Sequence, residues 1–261
     1  MAKSGQARVP SPTQRRHLFE VIQEHRHPEK NTAIMQISFK LGLRVQEIAL
    51  LEFKEICRLG RVKKNAVREF ELHQVMTLPA SYTKGANALG RSKTKYERKT
   101  VSFSVDEFNR IVNQIEKLAL ADADINPEDF YPDVKQHKGK SRDLPLIDAE
   151  LRKALTDYLV LRLKQRPSVK PGDPLFITQK GGPYSPNTLQ EHMALILRDW
   201  ASIEKASSHS GRRALITDVI HKQKKSVKVA QKIAGHINPS TTIIYEEPPE
   251  EEISEALNNI S

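Results

Sequence analysis

Hydrophobic residues recur at helical spacing along most of the chain and alternate with polar ones in only a few short stretches. After Ser11-Pro12, Leu18, Phe19 and Ile22 mark an amphipathic helix running to about Glu24. A second helix is predicted over about 31–40, broken by Gly42, and a third carries Arg44, Ile48 and Leu51 on related faces. Residues 70–79 and 99–104 alternate as strands do and enclose a Gly- and Lys-rich turn region, Thr83 to Lys99. Ser104 with Glu107 forms a capping box opening a helix to about Ala121, and Asp122 to Pro132 is a linker.

Val134–Ile147 reads as strand, basic turn, strand, and Asp148 caps a long helix to about Gln165. Leu175–Thr178 is a short strand. Ser185-Pro186, with proline in the first helical position, starts a helix ending near Trp200. Helices over about 208–222 and 226–234 follow, the second closed by Gly235, and Asn238-Pro239 starts a short helix containing Tyr245. Beyond Pro248-Pro249, Ile253, Ala256, Leu257 and Ile260 share one side of a last helical segment. The pattern predicts an α+β fold, mainly helical, with a small antiparallel β element.

The 261 residues suffice for one well-buried domain, or one domain with a small accessory piece. Mean hydropathy is −0.55, and no run approaches the roughly 18–20 apolar residues of a membrane span. Met1 to Pro10 has basic residues without an apolar stretch, so a secretory signal is not expected. Cys57 is the one cysteine, which suits a reducing cytoplasm and a buried small side chain. The net charge of +10 is uneven: residues 246–261 hold six glutamates and neither Lys nor Arg, leaving +16 on the rest. Such a body reads as a polyanion-binding surface. Charge alone fits a merely Lys-rich soluble protein equally well.

Arg44, His209, Arg212, His236 and Tyr245 change that balance. His209 and Arg212 are three apart and share a helix face, so an imidazole and a guanidinium can meet one phosphate. Arg44 supplies a second planar fork that bonds two phosphate oxygens at once. Two guanidiniums, two imidazoles and a phenol suffice to clamp a phosphodiester and attack it without a metal. Neither an acidic metal cluster nor a Gly-rich phosphate loop is visible, so no metal and no cofactor is expected. Taken singly, each residue has an ordinary role: a surface arginine, a helix-end histidine, a core aromatic. Their settings are less ordinary: Gly-x-Arg-x-x-Glu-Ile-x-x-Leu at 42–51, His-x-x-Arg at 209–212, and Gly-His-x-x-x-x-Thr-Thr-x-x-Tyr at 235–245.

Those three boxes, in that order, resemble the tyrosine recombinase (phage integrase) family, whose catalytic domain is the implied fold, here with a β/α insertion. The resemblance implies that Tyr245 attacks the scissile phosphate to give a 3′-phosphotyrosine and a free 5′-hydroxyl. Arg44 and Arg212 would hold the non-bridging oxygens, His209 would act as general base or positioner, and His236 would donate a hydrogen bond to the phosphate. The phosphotyrosine conserves the ester energy, so rejoining needs no ATP. A hairpin lysine serves as general acid in the family. Lys138 is the candidate in 135–146, with Lys135 and Lys140 beside it and a rival hairpin at Lys84 returning through Lys99.

The sequence departs from the family in three ways. Gly211 precedes Arg212 where the family often has leucine, and Arg213 follows where it has histidine, which implies local repacking. About 60–132 is an insertion, whose basic residues Lys84, Arg91, Lys93 and Lys95, with Lys140 and Arg142 beyond it, are candidate DNA contacts. Only about ten residues precede the first catalytic-domain helix, so the chain resembles members lacking the N-terminal core-binding domain. The implied organisation is a tail at 1–10, a catalytic domain at 11–245, and an acidic tail at 246–261 that docks on a neighbouring protomer or folds back on its own. The partners implied are double-stranded DNA carrying specific recombination sites, three further copies in a homotetramer, and an accessory DNA-bending or directionality protein, in a cytoplasmic, nucleoid-associated setting with no membrane. The reaction implied is site-specific recombination or integration, as in mobile genetic elements. Type IB topoisomerase-like relaxation and non-catalytic DNA binding on the same fold are the alternatives.

Overall fold

The computed structural model describes residues 7–62, 68–82, 89–91, 102–122, 124, 126–127, 134–136, 141–236, 238–246 and 257–258. Helix α1, Pro12–Glu24, begins where Ser11 caps it: the Ser11 hydroxyl accepts from Gln14 N at 3.2 Å and the Gln14 side chain returns the bond to Ser11 N at 3.0 Å. Its apolar face buries Leu18 and Ile22 completely. Helix α2, Pro28–Gln36, starts earlier than the periodicity predicts, because His27 takes the left-handed conformation and Pro28 fills the first helical position. It runs on into a π-helical turn, Ile37–Leu41, which Gly42 ends at φ 62°. Short helices α3, Val45–Ala49, and α4, Phe53–Ile56, follow.

Strands β1, Cys57–Val62, and β2, Arg68–Leu72, form an antiparallel hairpin. β1 was not expected, since glycine and two arginines interrupt its apolar alternation. β3, Val75–Leu78, turns Met76 and Leu78 inward. Its partner is β7, Arg142–Pro145, with Met76 opposite the buried Leu144. In a third antiparallel sheet, β4, Leu89–Arg91, lies between β5, Ser102–Phe103, and β6, Val134–Gln136. Both strands expected in 134–147 therefore exist, but they do not pair with each other. Alternation fixes which face of a strand is buried and leaves its partner open.

Helix α5, Val105–Ala121, carries the expected capping box at Ser104 and Glu107. Helix α6, Ala149–Gln165, starts at Asp148, whose carboxylate accepts from Leu151 N at 2.9 Å. It buries Leu151, Leu155, Tyr158, Leu159 and Leu163. Leu175–Thr178 is not a full strand; only the single bridge Ile177–Pro183 forms there. Helix α7, Pro186–Ala194, ends in a π turn, Leu195–Trp200, and helix α8, Ser210–Thr217, in another, Asp218–Lys222. Helices α9, Val227–Ala234, and α10, Ser240–Ile243, complete the described core.

Two compact units result, 1–78 with 142–261 and 79–141. Residues 60–78, expected within the insertion, belong to the larger unit. Arg68 ties them there by donating to the carbonyls of Pro167, at 3.1 Å, and Val169. Among the described residues no helix is long and apolar enough to cross a membrane.

Helix α8 rests directly on the π turn at 37–41. Gly211 makes this approach possible, since a β-carbon there would overlap the Ser38 hydroxyl and lie 3.0 Å from the Ser38 carbonyl carbon. The family's common leucine would not fit at 211. Gly211→Ala is expected to destabilise the fold by about 1–3 kcal/mol through overpacking, read as a lower urea midpoint at unchanged slope.

Candidate active site

Arg44 follows Gly42-Leu43 at the start of α3 and caps that helix together with Glu47. Its backbone N donates to Glu47 Oε2 at 2.7 Å, and its guanidinium Nη1 pairs with Glu47 Oε1 at 3.0 Å. Helix α8 carries Arg212 in its first turn, with His209 as its N-cap; His209 N donates to the Ser207 hydroxyl at 3.2 Å. The Arg212 guanidinium is buried and donates to two backbone carbonyls, Gly42 at 2.6 Å and Ala234 at 2.5 Å. Both carbonyls belong to helix ends. The one on Ala234 closes α9, where the helix dipole favours a cation. Burial is the largest influence on Arg212 and depresses its pKa to about 9, with Arg44 acting in the same direction, so it stays charged at neutral pH.

Gly235 ends α9 in the left-handed conformation and hands the chain to His236. The His236 ring is buried, and its Nδ1 meets the Thr242 hydroxyl at 2.8 Å. Tyr245 lies just beyond α10 rather than inside it, its N bonded to the Thr242 carbonyl at 3.0 Å. His221 Nε2 bonds the Tyr245 carbonyl at 2.7 Å. The tyrosine ring stacks on His236 at 6.3 Å between centroids, and the Arg213 guanidinium sits over it at 5.5 Å. Ile216, Val219, Ala230 and Ala234 form the apolar bed beneath the tyrosine.

Arg44, His209, Arg212, His236 and Tyr245 thus line one open cleft of about 340 Å³, together with Arg213 and Thr241. All five come from one subunit. The cleft is rich in hydrogen-bond donors and cations and ringed by a phenol, a combination suited to a phosphate diester.

Burial, followed by Arg212, Arg44 and Arg142, depresses the His236 pKa to about 4, so the ring is neutral at physiological pH. Between pH 6.5 and about 4 the unfolded chain binds the proton and the folded chain does not. Stability is therefore full above 6.5 and falls as acid is added, by up to about 3 kcal/mol from this group. His192, held near 4 by burial, Lys30 and His27, acts in the same sense. Melting temperature measured from pH 7 to 4 is expected to fall less steeply in His236→Gln than in the parent.

The other expected site residues are placed differently. Lys84, Lys93, Lys95, Lys138 and Lys140 lie outside the described residues, and Arg91 is in β4. Arg142, expected as a DNA contact, is engaged within the protein. Its side chain is partly buried; Nη2 pairs with Glu47 Oε2 at 2.8 Å and Nη1 donates to the Ala234 carbonyl at 2.8 Å. The expected tail helix also falls outside the described residues, except that Leu257 and Asn258 are helical. Sequence reasoning had Glu47 and Thr242 within its boxes but gave them no role. It missed the contact of Arg213 with Tyr245, for which only adjacency to Arg212 gave a signal.

Fold and cleft together define a tyrosine recombinase catalytic domain. Solved structures with this fold include the XerA recombinase (TM-score 0.56, 17% identity, 99% of this chain and 65% of that one). The Tn1549 transposon integrase in complex with transposon right end DNA gives a TM-score of 0.55 at 14% identity, over 100% of this chain and 69% of that one.

The model of the phage integrase family matches residues 110–252, more than half of the sequence, and the chain belongs to that family. His209, Arg212, His236 and Tyr245 fall within the match; Arg44 precedes it and is brought in by the fold. The tyrosine recombinase XerC of Methylobacterium nodulans is 32% identical over 106 residues, which are 41% of this chain and 31% of that protein. XerC of Caldanaerobacter subterraneus is 31% identical over 135 residues, 48% of this chain and 37% of that protein. The matches thus span about a third of these relatives' length.

Proposed function

We propose that this protein is a site-specific recombinase or integrase that cuts and rejoins DNA through a covalent phosphotyrosine. The observation that carries the reading is the single cleft lined by Arg44, His209, Arg212, His236 and Tyr245. Tyr245 Oη attacks the phosphorus, the bond to the 5′-oxygen breaks with its electron pair, and the 3′-phosphate stays on the tyrosine. His209 accepts or positions the phenol proton. Arg44 and Arg212 neutralise the charge gathering on the non-bridging oxygens. In the tautomer whose Nδ1 accepts from the Thr242 hydroxyl, neutral His236 carries its hydrogen on Nε2 and can offer it to the phosphate.

The leaving 5′-oxygen needs a proton, and Lys138 or Lys84 supplies it. The two lysines are tested side by side. A substrate with sulfur in place of the 5′-bridging oxygen needs no general acid. It is expected to restore cleavage to the alanine variant of the true donor and to leave the other variant unchanged.

The reaction runs in a tetramer holding two DNA sites, joined by the acidic tail and aided by an accessory DNA-bending or directionality protein. Double-stranded DNA is the polyanion that the basic body meets. Incubation with a nicked duplex from DNA flanking its own gene is expected to trap a covalent adduct on Tyr245. Strand exchange between two duplexes then distinguishes recombination from supercoil relaxation, and a chain that forms no adduct on any duplex overturns the reading.

A further inference from the structure

Three guanidiniums and one carboxylate meet beneath the cleft. Glu47 is fully buried, an arrangement that costs several kcal/mol for a carboxylate without partners. Here it is bracketed: Oε1 faces Arg44 Nη1 at 3.0 Å, while Oε2 faces Arg44 N at 2.7 Å and Arg142 Nη2 at 2.8 Å. The carbonyl of Ala234 is shared in the same way, by Arg142 Nη1 at 2.8 Å and Arg212 Nη2 at 2.5 Å. Arg142 therefore spends one nitrogen on the group that orients Arg44 and the other on the group that orients Arg212. Its remaining Nε is buried without a partner, and both terminal nitrogens of the fork are turned to these two anchors.

The residue after Ala234 supports the same geometry. Gly235 is left-handed, and a β-carbon on it would overlap the Arg142 guanidinium. The glycine of the Gly-His box thus leaves room for this arginine as well as turning the chain.

Resting on the reading of this cleft as a phosphodiester site, we infer that Arg142 is a positioning residue that ties Glu47 to the end of α9 and so sets the spacing and aim of the Arg44 and Arg212 forks. Arg142 touches no reacting atom. It fixes two groups that do, from the one place where a planar five-donor side chain reaches both anchors. Lysine can satisfy one anchor at a time.

The test compares the full chain with Arg142→Lys and Gly235→Ala. Trapping at saturating nicked duplex is expected to slow roughly 10- to 100-fold in Arg142→Lys, as displaced catalytic groups do. The Kd for DNA should stay within about threefold, and its salt dependence should not change, since no phosphate contact is removed. A parental trapping rate, or a salt slope reduced by about 0.9, would make Arg142 dispensable or a phosphate ligand and overturn the inference. Where Arg142→Lys fails to fold, Gly235→Ala carries the test, because its methyl must displace the same guanidinium; parental trapping by it has the same meaning. One readout needs no chemistry and separates this inference from the reading beneath it. The guanidinium protons of Arg44 and Arg212 should exchange with solvent roughly tenfold faster in Arg142→Lys, even if the parent forms no adduct on any DNA, and unchanged exchange would refute the link.

Discussion

Tyr245→Phe is expected to abolish the covalent DNA adduct while leaving DNA affinity within about twofold of the parent. Phenylalanine keeps the ring that stacks on His236 and lies under the Arg213 guanidinium, and the apolar bed of Ile216, Val219, Ala230 and Ala234 beneath it is unaltered. Only the oxygen is lost, and with it the bond to phosphorus. The loss should be complete within detection, because no neighbouring side chain can form the same ester from the same position. The measurement is denaturing electrophoresis of trapped nicked duplex beside a filter-binding titration. Adduct formed at the parental level by Tyr245→Phe would assign the nucleophile elsewhere.

The second large effect is expected at Arg212. Arg212→Ala removes a buried cation and takes the side-chain donor from the Gly42 carbonyl, while the Ala234 carbonyl keeps Arg142 Nη1. An unsatisfied buried carbonyl costs about 1–3 kcal/mol, which a urea titration reads directly. Catalysis should fall further than stability explains. Losing one preorganised donor to a developing anion costs roughly 10²- to 10³-fold in rate, and Arg212 presents a full charge from a buried position. Arg212→Lys separates the two effects. It keeps the charge and gives up the fork, so single-turnover cleavage should stay depressed while part of the stability returns. Cleavage by Arg212→Lys at the parental rate would reduce the role of this residue to charge alone.

Helix positions were legible from the chain alone wherever a cap and a periodic face coincided. Ser11, Ser104, Asp148 and Ser185 each start the helix their side chains imply, and Gly235 ends one as a left-handed residue should. These signals are local, since the hydrogen bonds involved span three or four residues. The π-helical ends of α2, α7 and α8 were read only as more helix, because the pattern of apolar positions does not distinguish the two windings over a single turn. Strands fared differently. The alternation in 70–79, 99–104 and 134–147 marked extended chain, but pairing runs β3 to β7 and β4 to both β5 and β6.

Arg142 shows the same limit at the scale of one side chain. In the sequence it closes a run of lysines and reads like another surface cation. In the fold its strand turns it toward Glu47 and the end of α9, partners 95 and 92 residues away.

The chemical kit and the helices that carry it were fixed by the sequence: Arg44, His209, Arg212, His236 and Tyr245 sit in short boxes whose spacing needs no knowledge of the rest of the chain. Their meeting in one cleft, and the burial that keeps His236 neutral and Glu47 bracketed by two arginines, were decided by tertiary structure. The reason is range. Caps and periodic faces are set within a few residues, whereas desolvation and ion pairing depend on atoms that only the folded chain brings together.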